Sequence, residues 1–450
     1  MERVCLQVNK CRHFKLRDDK GTGLCIVLGL IFLVLSMTGC STIVTQKYTF
    51  IPIDQFPAFT GSESSEILPQ SVDYSVPDVD ILKLNDEMRS VLDESIVPLK
   101  NPQARLEMLL RIINTRVSYS TAADDGAKTA IETFETRTGN CLSLSNLFIS
   151  MARYSGLKTA FQEIPVPPFW KKSGVALFFT RHIGASVNLD TTQEDGVRID
   201  STNSNSAIMR DNMSFYLLTP SLMGAGTPAI NPLFTQPIPD NRAFAQYYNN
   251  IGANCLAEGN GRDAFRYFIK AVKTDPRLGF AWSNLGVVYS RNNQIDAAEM
   301  AYLQALSINR GIDETSAMNV MGNLEKLYRK IGNSKQAAFY EKEIAFFRNK
   351  NPYYHYSLGK TAYYDGNFEE AVKHFKDAIG QKEDEHLFHY TLALAYLRLG
   401  NIKMAEKTIV RAELFAWDEK IKLDYELLRE RMVKYRNEPS LEKFFDINNL

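Results

Sequence analysis

The amino-acid sequence predicts an α+β domain in the first half of the chain and an all-α solenoid in the second. Two observations carry the first part. A helix-period apolar run begins at Cys141, and four short β-rich pieces separated by turn residues follow between Thr159 and Asp200. The second part rests on a pattern of glycines, alanines and aromatics that returns with a period of about 34 residues from Ile251 onward.

The chain has 450 residues, of which 45% are hydrophobic and 23% charged, enough apolar material for two or three domains with cores of their own. Lys and Arg number 52 and Asp and Glu also 52, so the basic excess that phosphate binding requires is missing and nucleic acid is not expected as a partner.

Arg3, Lys10, Arg12, Lys15, Arg17 and Lys20 precede an apolar run from Leu24 to Leu35, and Ser36-Met37-Thr38-Gly39-Cys40 follows. That order reads as a signal peptide over residues 1–39. The run falls short of the ~20 residues that a membrane-spanning helix needs. Residues 40–79 mix Pro, Ser, Thr and Asp without periodicity and read as a tether.

A domain is expected over residues 80–225. It opens with helices at Leu82 to Val97 and Pro102 to Arg116, the second with proline at its start and Leu106, Leu109, Leu110 and Ile113 at helical spacing. From Cys141 a helix carries Leu142, Leu144, Leu147, Phe148, Met151 and Ala152 and stops near Gly156. Strands are predicted at Thr159 to Ile164, Val175 to Thr180, Gly184 to Leu189 and Val197 to Asp200. A Pro-rich linker over 226–242, repeats over 243–419 and a polar capping helix over 420–450 complete the organisation.

Three of the six cysteines, Cys5, Cys11 and Cys25, fall in the leader, and Cys40, Cys141 and Cys255 lie far apart in different segments. No structural disulfide is expected, although a secreted protein meets an oxidising compartment. Between Ser41 and Asn254 the chain has one cysteine, Cys141, and one histidine, His182. A lone cysteine on an apolar helix is commonly a small core residue. At a helix N-terminus, however, the dipole and unpaired N–H groups favour thiolate. An imidazole on a nearby strand can take the thiol proton, and a carboxylate can hold its tautomer. His182 and Asp200 each lie in a strand-like piece and are the candidates; Asp190 and Asp195 are alternatives for the carboxylate.

Arg137-Thr138-Gly139-Asn140-Cys141, the helix through Ala152-Arg153 and Gly156-Leu157, the strand with His182 and the strand ending at Asp200 resemble the transglutaminase-like, papain-related superfamily. The resemblance implies a Cys, His, Asp triad of Cys141, His182 and Asp200, and acyl-transfer chemistry without a cofactor. The aromatic that often follows the histidine in that family is replaced by Ile183-Gly184-Ala185. Met37-Thr38-Gly39-Cys40 resembles the lipobox of bacterial lipoproteins, which implies diacylglycerol on Cys40, membrane attachment and a place in the cell envelope, on the periplasmic face of the outer membrane.

The repeats resemble tetratricopeptide repeats. Ile251-Gly252, Gly259, Ala264, Phe268, Ala271 and Pro276 form the first unit, and Trp282, Leu285-Gly286, Tyr289, Ala298, Tyr302 and Ala305 the second. A weaker third unit follows around Leu324 and Tyr328, a clearer fourth at Leu358-Gly359 and Phe375, and a fifth at Leu392-Ala393 and Tyr396, about five in all. Small residues at Gly252, Gly286, Gly359 and Ala393 should let paired helices approach closely. Cys255 falls in a core position of the first unit. Of His355, His374, His386 and His389, most are expected on solvated faces and no pair has convincing companion ligands, so no metal is expected.

The function these readings predict is an envelope-anchored, cysteine-dependent acyl-transfer enzyme, a hydrolase, protease or transamidase, with a repeat groove for a protein or peptide. The alternative is an inactive domain of the same family serving with the repeats as an envelope scaffold.

Overall fold

A computed structural model describes residues 50–59, 75–120, 126–164, 169–170, 176–178, 182–189, 207–211, 214–218, 236–310, 314–417 and 419–437. The expected leader, the Cys40 lipid site and Asp200 lie outside the described residues, as do Asp190 and Asp195. Among the described residues no helix is long and apolar enough to cross a membrane.

The α+β part begins with helices α1 (Asp86–Ser95) and α2 (Pro102–Arg116), capped by the side chains of Asn85 and Asn101. Strand β1 (Ser118–Tyr119) pairs in parallel with β2 (Thr138–Gly139), and helix α3 (Ala130–Thr136) lies between them in sequence, held at its start by a reciprocal capping box of Thr129 and Glu132. Helix α4 (Cys141–Tyr154) is the centre of this part: every residue from Leu142 to Ala152 is buried. A helix apolar or small all round fits only where neighbours cover each face. Here α1, α2 and α3 cover part of it and the sheet covers another.

That sheet is antiparallel, in the order β7, β8, β6, β3, β9, formed by β3 (Lys158–Ile164), β6 (His182–Asn188), β7 (Ala207–Asp211), β8 (Ser214–Leu218) and β9 (Gln236–Ile238). A separate two-stranded piece joins β4 (Phe169–Trp170) and β5 (Ala176–Phe178). Pro237, inside the stretch read as a linker, lies on β9, the outermost strand, where it pairs with Gln162 of β3; an edge is the place where a residue without an N–H is tolerated in a sheet.

From Asp240 the chain is helical. The helices α5 (Asp240–Ala257) and α6 (Gly261–Thr274), α7 (Gly279–Arg291) and α8 (Ile295–Asn309), α9 (Glu314–Lys330) and α10 (Ser334–Asn349), α11 (Pro352–Tyr364) and α12 (Phe368–Gln381), and α13 (His386–Arg398) and α14 (Ile402–Phe415) pack in consecutive pairs, and α15 (Glu419–Asn437) covers the last one. The fold is therefore α+β followed by an all-α solenoid. One hydrophobic cluster runs from Phe59 through the α+β part to Tyr340 on α10, and a second from Tyr356 on α11 to Met432 on α15.

The close approach expected of the small residues is visible in the pairs. A Cβ on Gly252 would lie 2.8 Å from the ring of Phe268, and one on Gly286 or Gly359 would lie 2.6 Å from the ring of Tyr302 or Phe375. Gly286→Ala is expected to destabilise the protein by roughly 1–3 kcal/mol through overpacking. Gly322 on α9 has nothing within 4 Å of its position, so Gly322→Ala should stabilise by roughly 0.5–1 kcal/mol, the helix propensity difference. Urea melts of the two variants test this, and shifts of the same sign in both would refute the close-approach explanation.

Candidate functional site

The backbone leading to Cys141 is held on every side. Arg137 takes a left-handed conformation, φ 57°, to end α3, and its carbonyl accepts from the N–H of Ser118 at 2.9 Å. Gly139 fits because a Cβ there would meet Ser143 Cβ at 2.8 Å. Asn140 caps the new helix, its Oδ1 accepting from the Ser143 N–H and from the Ser143 hydroxyl, each at 3.0 Å. Cys141 is thus the first residue of a helix that its neighbours orient rigidly.

The opening of β6 meets this first turn. β8 pairs with Ala185 to Asn188 and stops short of Ile183. Ile183 turns its free backbone on α4 instead: its N–H donates to the Cys141 sulfur, and its carbonyl lies 3.1 Å from the Ser145 hydroxyl, which also lies 2.8 Å from the Cys141 carbonyl. His182, the residue before Ile183, is the first of β6 and pairs with Ile164 on β3. The fold therefore brings the backbone of His182 to within one residue of the thiol's own hydrogen-bond partner; the imidazole and Asp200 lie outside the described residues.

The electrostatics differ from the sequence expectation. Cys141 is half-buried, and burial of the thiol pushes its pKa up; the N–H groups of Ile183, Leu142 and Cys141 pull it down but are outweighed. A helix N-terminus alone does not make this thiol a thiolate, because desolvation penalises the charged form more than three backbone donors favour it. Cys255, also half-buried and free, is raised by burial and then by Asp263 and Glu258.

Residues 89–165 match the model of the transglutaminase-like superfamily. The chain is transglutaminase-like over this stretch. The match takes in Cys141 and the whole of α4, and residues 281–311 and 356–419 match models of the tetratricopeptide repeat. Two curated relatives, the cell division cycle protein 16 homologs of Homo sapiens and Mus musculus, are 27% identical over 139 residues, which is 30% of this chain and 22% of theirs. The chain thus spans about a fifth of the length of those relatives. Solved structures that resemble it include YrrB, described as a tetratricopeptide repeat protein with an unusual peptide-binding site, at 18% identity and a TM-score of 0.21 over 40% of this chain and 91% of that one. MamA of Desulfovibrio magneticus RS-1 matches at 17% identity and a TM-score of 0.21 over 38% of this chain and 94% of that one. The transglutaminase-like segment is thus joined to an array of repeats of the kind that present extended surfaces for protein binding.

Part of that surface is already covered. Residues 50–59, inside the stretch read as a tether, lie along α6, α7 and α8: Phe56 packs on Trp282 with ring centroids 4.9 Å apart, Phe59 stacks on Phe265 at 5.0 Å, and the Pro57 carbonyl accepts from Tyr289 at 2.7 Å. Further on, the Ser75 carbonyl accepts from Arg266 at 2.7 Å and Asp78 pairs with Lys270. The later helices keep exposed apolar residues, among them Phe339, Phe346, Tyr364, Val410 and Leu414.

The histidines of the last repeats do not sit on solvated faces as the sequence suggests. His386 and His389 are 4% and 5% exposed, because α13 is covered by neighbours on both sides; His386 Nδ1 bonds the Tyr425 hydroxyl at 2.8 Å and His389 Nε2 the Glu383 carbonyl at 2.8 Å. His355 and His374 are half-buried and face each other across α11 and α12, with ring centroids 6.2 Å apart. Companion groups for a metal are present after all: His355, His374 and Asp377 each offer one donor atom, all within 4.8 Å of one another. Their spacing in the chain hides this, since only the pairing of α11 with α12 brings them together.

Proposed function

We propose that the protein is a cysteine-dependent acyl-transfer enzyme, anchored in a bacterial cell envelope through a lipid on Cys40, whose repeats hold a protein or peptide. The observation that supports this reading most is the hydrogen bond from Ile183 to the Cys141 sulfur, because it sets the backbone of His182 beside a thiol at a helix start. In the reaction, the His182 imidazole takes the Cys141 thiol proton, the sulfur attacks an amide carbonyl carbon, a C–S bond forms, and the C–N bond breaks as the resulting imidazolium gives that proton to the leaving amine. Water or a second amine then attacks the thioester, gives its proton to His182, and frees the Cys141 sulfur. Asp200 holds the imidazole in the tautomer the cycle needs. The Cys141 N–H at the helix start is the natural first donor to the oxyanion.

One observation favours the scaffold reading: burial pushes the Cys141 thiol up, the opposite of what a resting nucleophile needs. The two readings separate with p-nitrophenyl acetate as acyl donor to the full-length protein in detergent. The enzyme reading expects a burst of p-nitrophenol and an acetyl adduct on the peptide containing Cys141, both lost in Cys141→Ala. A silent wild type, or a burst that survives in Cys141→Ala, would sink it. Membrane fractionation of Cys40→Ala in the native host tests the anchor, which requires the variant to leave the membrane pellet.

A further inference from the structure

We infer that His355, His374 and Asp377 form a binding site for a divalent transition metal, zinc by the chemistry of its donors, that ties α11 to α12 at the break in the solenoid's core. The donor set is two imidazoles and one carboxylate whose donor atoms lie within 4.8 Å of one another. Zinc bonds of ~2.0–2.1 Å place tetrahedral donors about 3.4 Å apart, so the three side chains need only small rotations to close on an ion. Imidazole with carboxylate suits zinc and its first-row neighbours, while magnesium and calcium prefer oxygen-rich sites.

The second observation is the state of the ring nitrogens. His355 Nε2 lies 2.9 Å from the Asn349 carbonyl, so that nitrogen carries the proton and Nδ1 carries the lone pair. That Nδ1 is buried, has no hydrogen-bond partner, and lies 3.9 Å from Asp377 Oδ2. His374 Nδ1 is likewise buried and unpartnered, and its Nε2 lies 3.9 Å from Glu370 Oε1. A backbone carbonyl on the far nitrogen of His355 is the kind of support that orients a metal-binding histidine; Glu370, at 3.9 Å, stands beyond hydrogen-bond distance of the His374 ring. Buried imidazole lone pairs without donors are uncommon unless something else satisfies them.

The location gives the site a role. Asn349 ends α10, and its carbonyl accepts from both His355 and Gln381. The first hydrophobic cluster stops at Tyr340 on α10 and the second starts at Tyr356 on α11. An ion held there fixes the fourth helix pair at the joint between the two clusters. Its fourth coordination position is left for water or for a carboxylate or imidazole of a bound partner.

The test is a titration of the full-length protein, thiols first blocked with iodoacetamide, with cobalt(II) and then zinc(II). Tight binding of one ion per chain is expected, with the intense visible absorption of tetrahedral cobalt and displacement by zinc. His355→Asn with His374→Asn should abolish that site, circular dichroism confirming that the helices remain. Asp377→Asn, at an exposed position, should weaken binding by at least about tenfold, whereas Glu341→Gln on α10 should leave it unchanged. Absence of ion binding by the folded wild type, or binding unaltered by Asp377→Asn or by the double variant, overturns the proposal.

Discussion

Trp282→Ala is expected to lower the stability of the repeat array by ~3–5 kcal/mol and to release residues 50–59 from it. Trp282 is 1% exposed at the start of the second repeat, with its indole N–H donated to the Pro276 carbonyl at 2.9 Å. Its removal leaves a large cavity and strips Phe50 and Phe56 of the ring they pack on. Each aromatic contact adds about 0.5–1.5 kcal/mol beyond area burial. Calorimetry should record a fall of roughly 6–15 °C in the transition of the repeats. Chymotrypsin should cut after Phe50 or Phe59 faster in the variant, while Phe346→Ala, at a residue 52% exposed, should stay within about 0.5 kcal/mol of wild type. A variant that melts and digests like wild type would show that the segment is not held by this ring.

The attachment matters because the transglutaminase-like segment and the first repeats are one packed body. Their hydrophobic cluster is continuous, and charged pairs reinforce the join: Arg153 at the end of α4 contacts both carboxylate oxygens of Asp240, at 2.5 and 2.9 Å, and Arg242 lies 3.0 Å from Asp275 and 3.8 Å from Glu163 on β3. The candidate site is built on α4 and β6 of that body, so what loads the repeats also loads the elements that hold Cys141.

How far the sequence could be read follows from the range of each cause. The helix at Cys141 was legible because its determinants are local: an apolar run, Asn140 as cap and Gly139 before it. The glycine and aromatic partners of the repeats were legible because the period repeats their spacing. The shift of the thiol was not, because it is set by burial and by Ile183, far along the chain. Strands β7, β8 and β9 were missed because each is five residues or shorter and gains its ladder only in the assembled sheet, β8 beside β6, β7 beside β8 and β9 beside β3. The docking of residues 50–59 was hidden for the same reason: Pro52, Asp54, Gln55 and Pro57 interrupt the apolar residues so that no period shows, and Phe56 and Phe59 find their partners only on α7 and α6.

The proposed role of His182 carries the second large effect. Burial alone leaves Cys141 protonated to a higher pH than an ordinary thiol, ~8.5. A raised thiol pKa means the neutral form dominates at pH 7 and thiolate appears only as pH climbs past that raised value. An imidazolium beside the sulfur reverses the sign, because it stabilises the thiolate electrostatically and through a charge-assisted hydrogen bond. The alkylation profile of Cys141 with iodoacetamide should therefore have its midpoint below that of an ordinary thiol in wild type and above it in His182→Ala, a rise of roughly a pH unit or more. The midpoint is the right measure, since a less acidic thiolate is a better nucleophile and partly masks the change in rate at a single pH. Peptide mapping assigns the adduct to Cys141 rather than Cys255, whose profile should not move. Coincident midpoints in wild type and His182→Ala would mean that the imidazole does not act on the sulfur, and the Cys141 thiol would then be no more than a buried residue at the head of a helix.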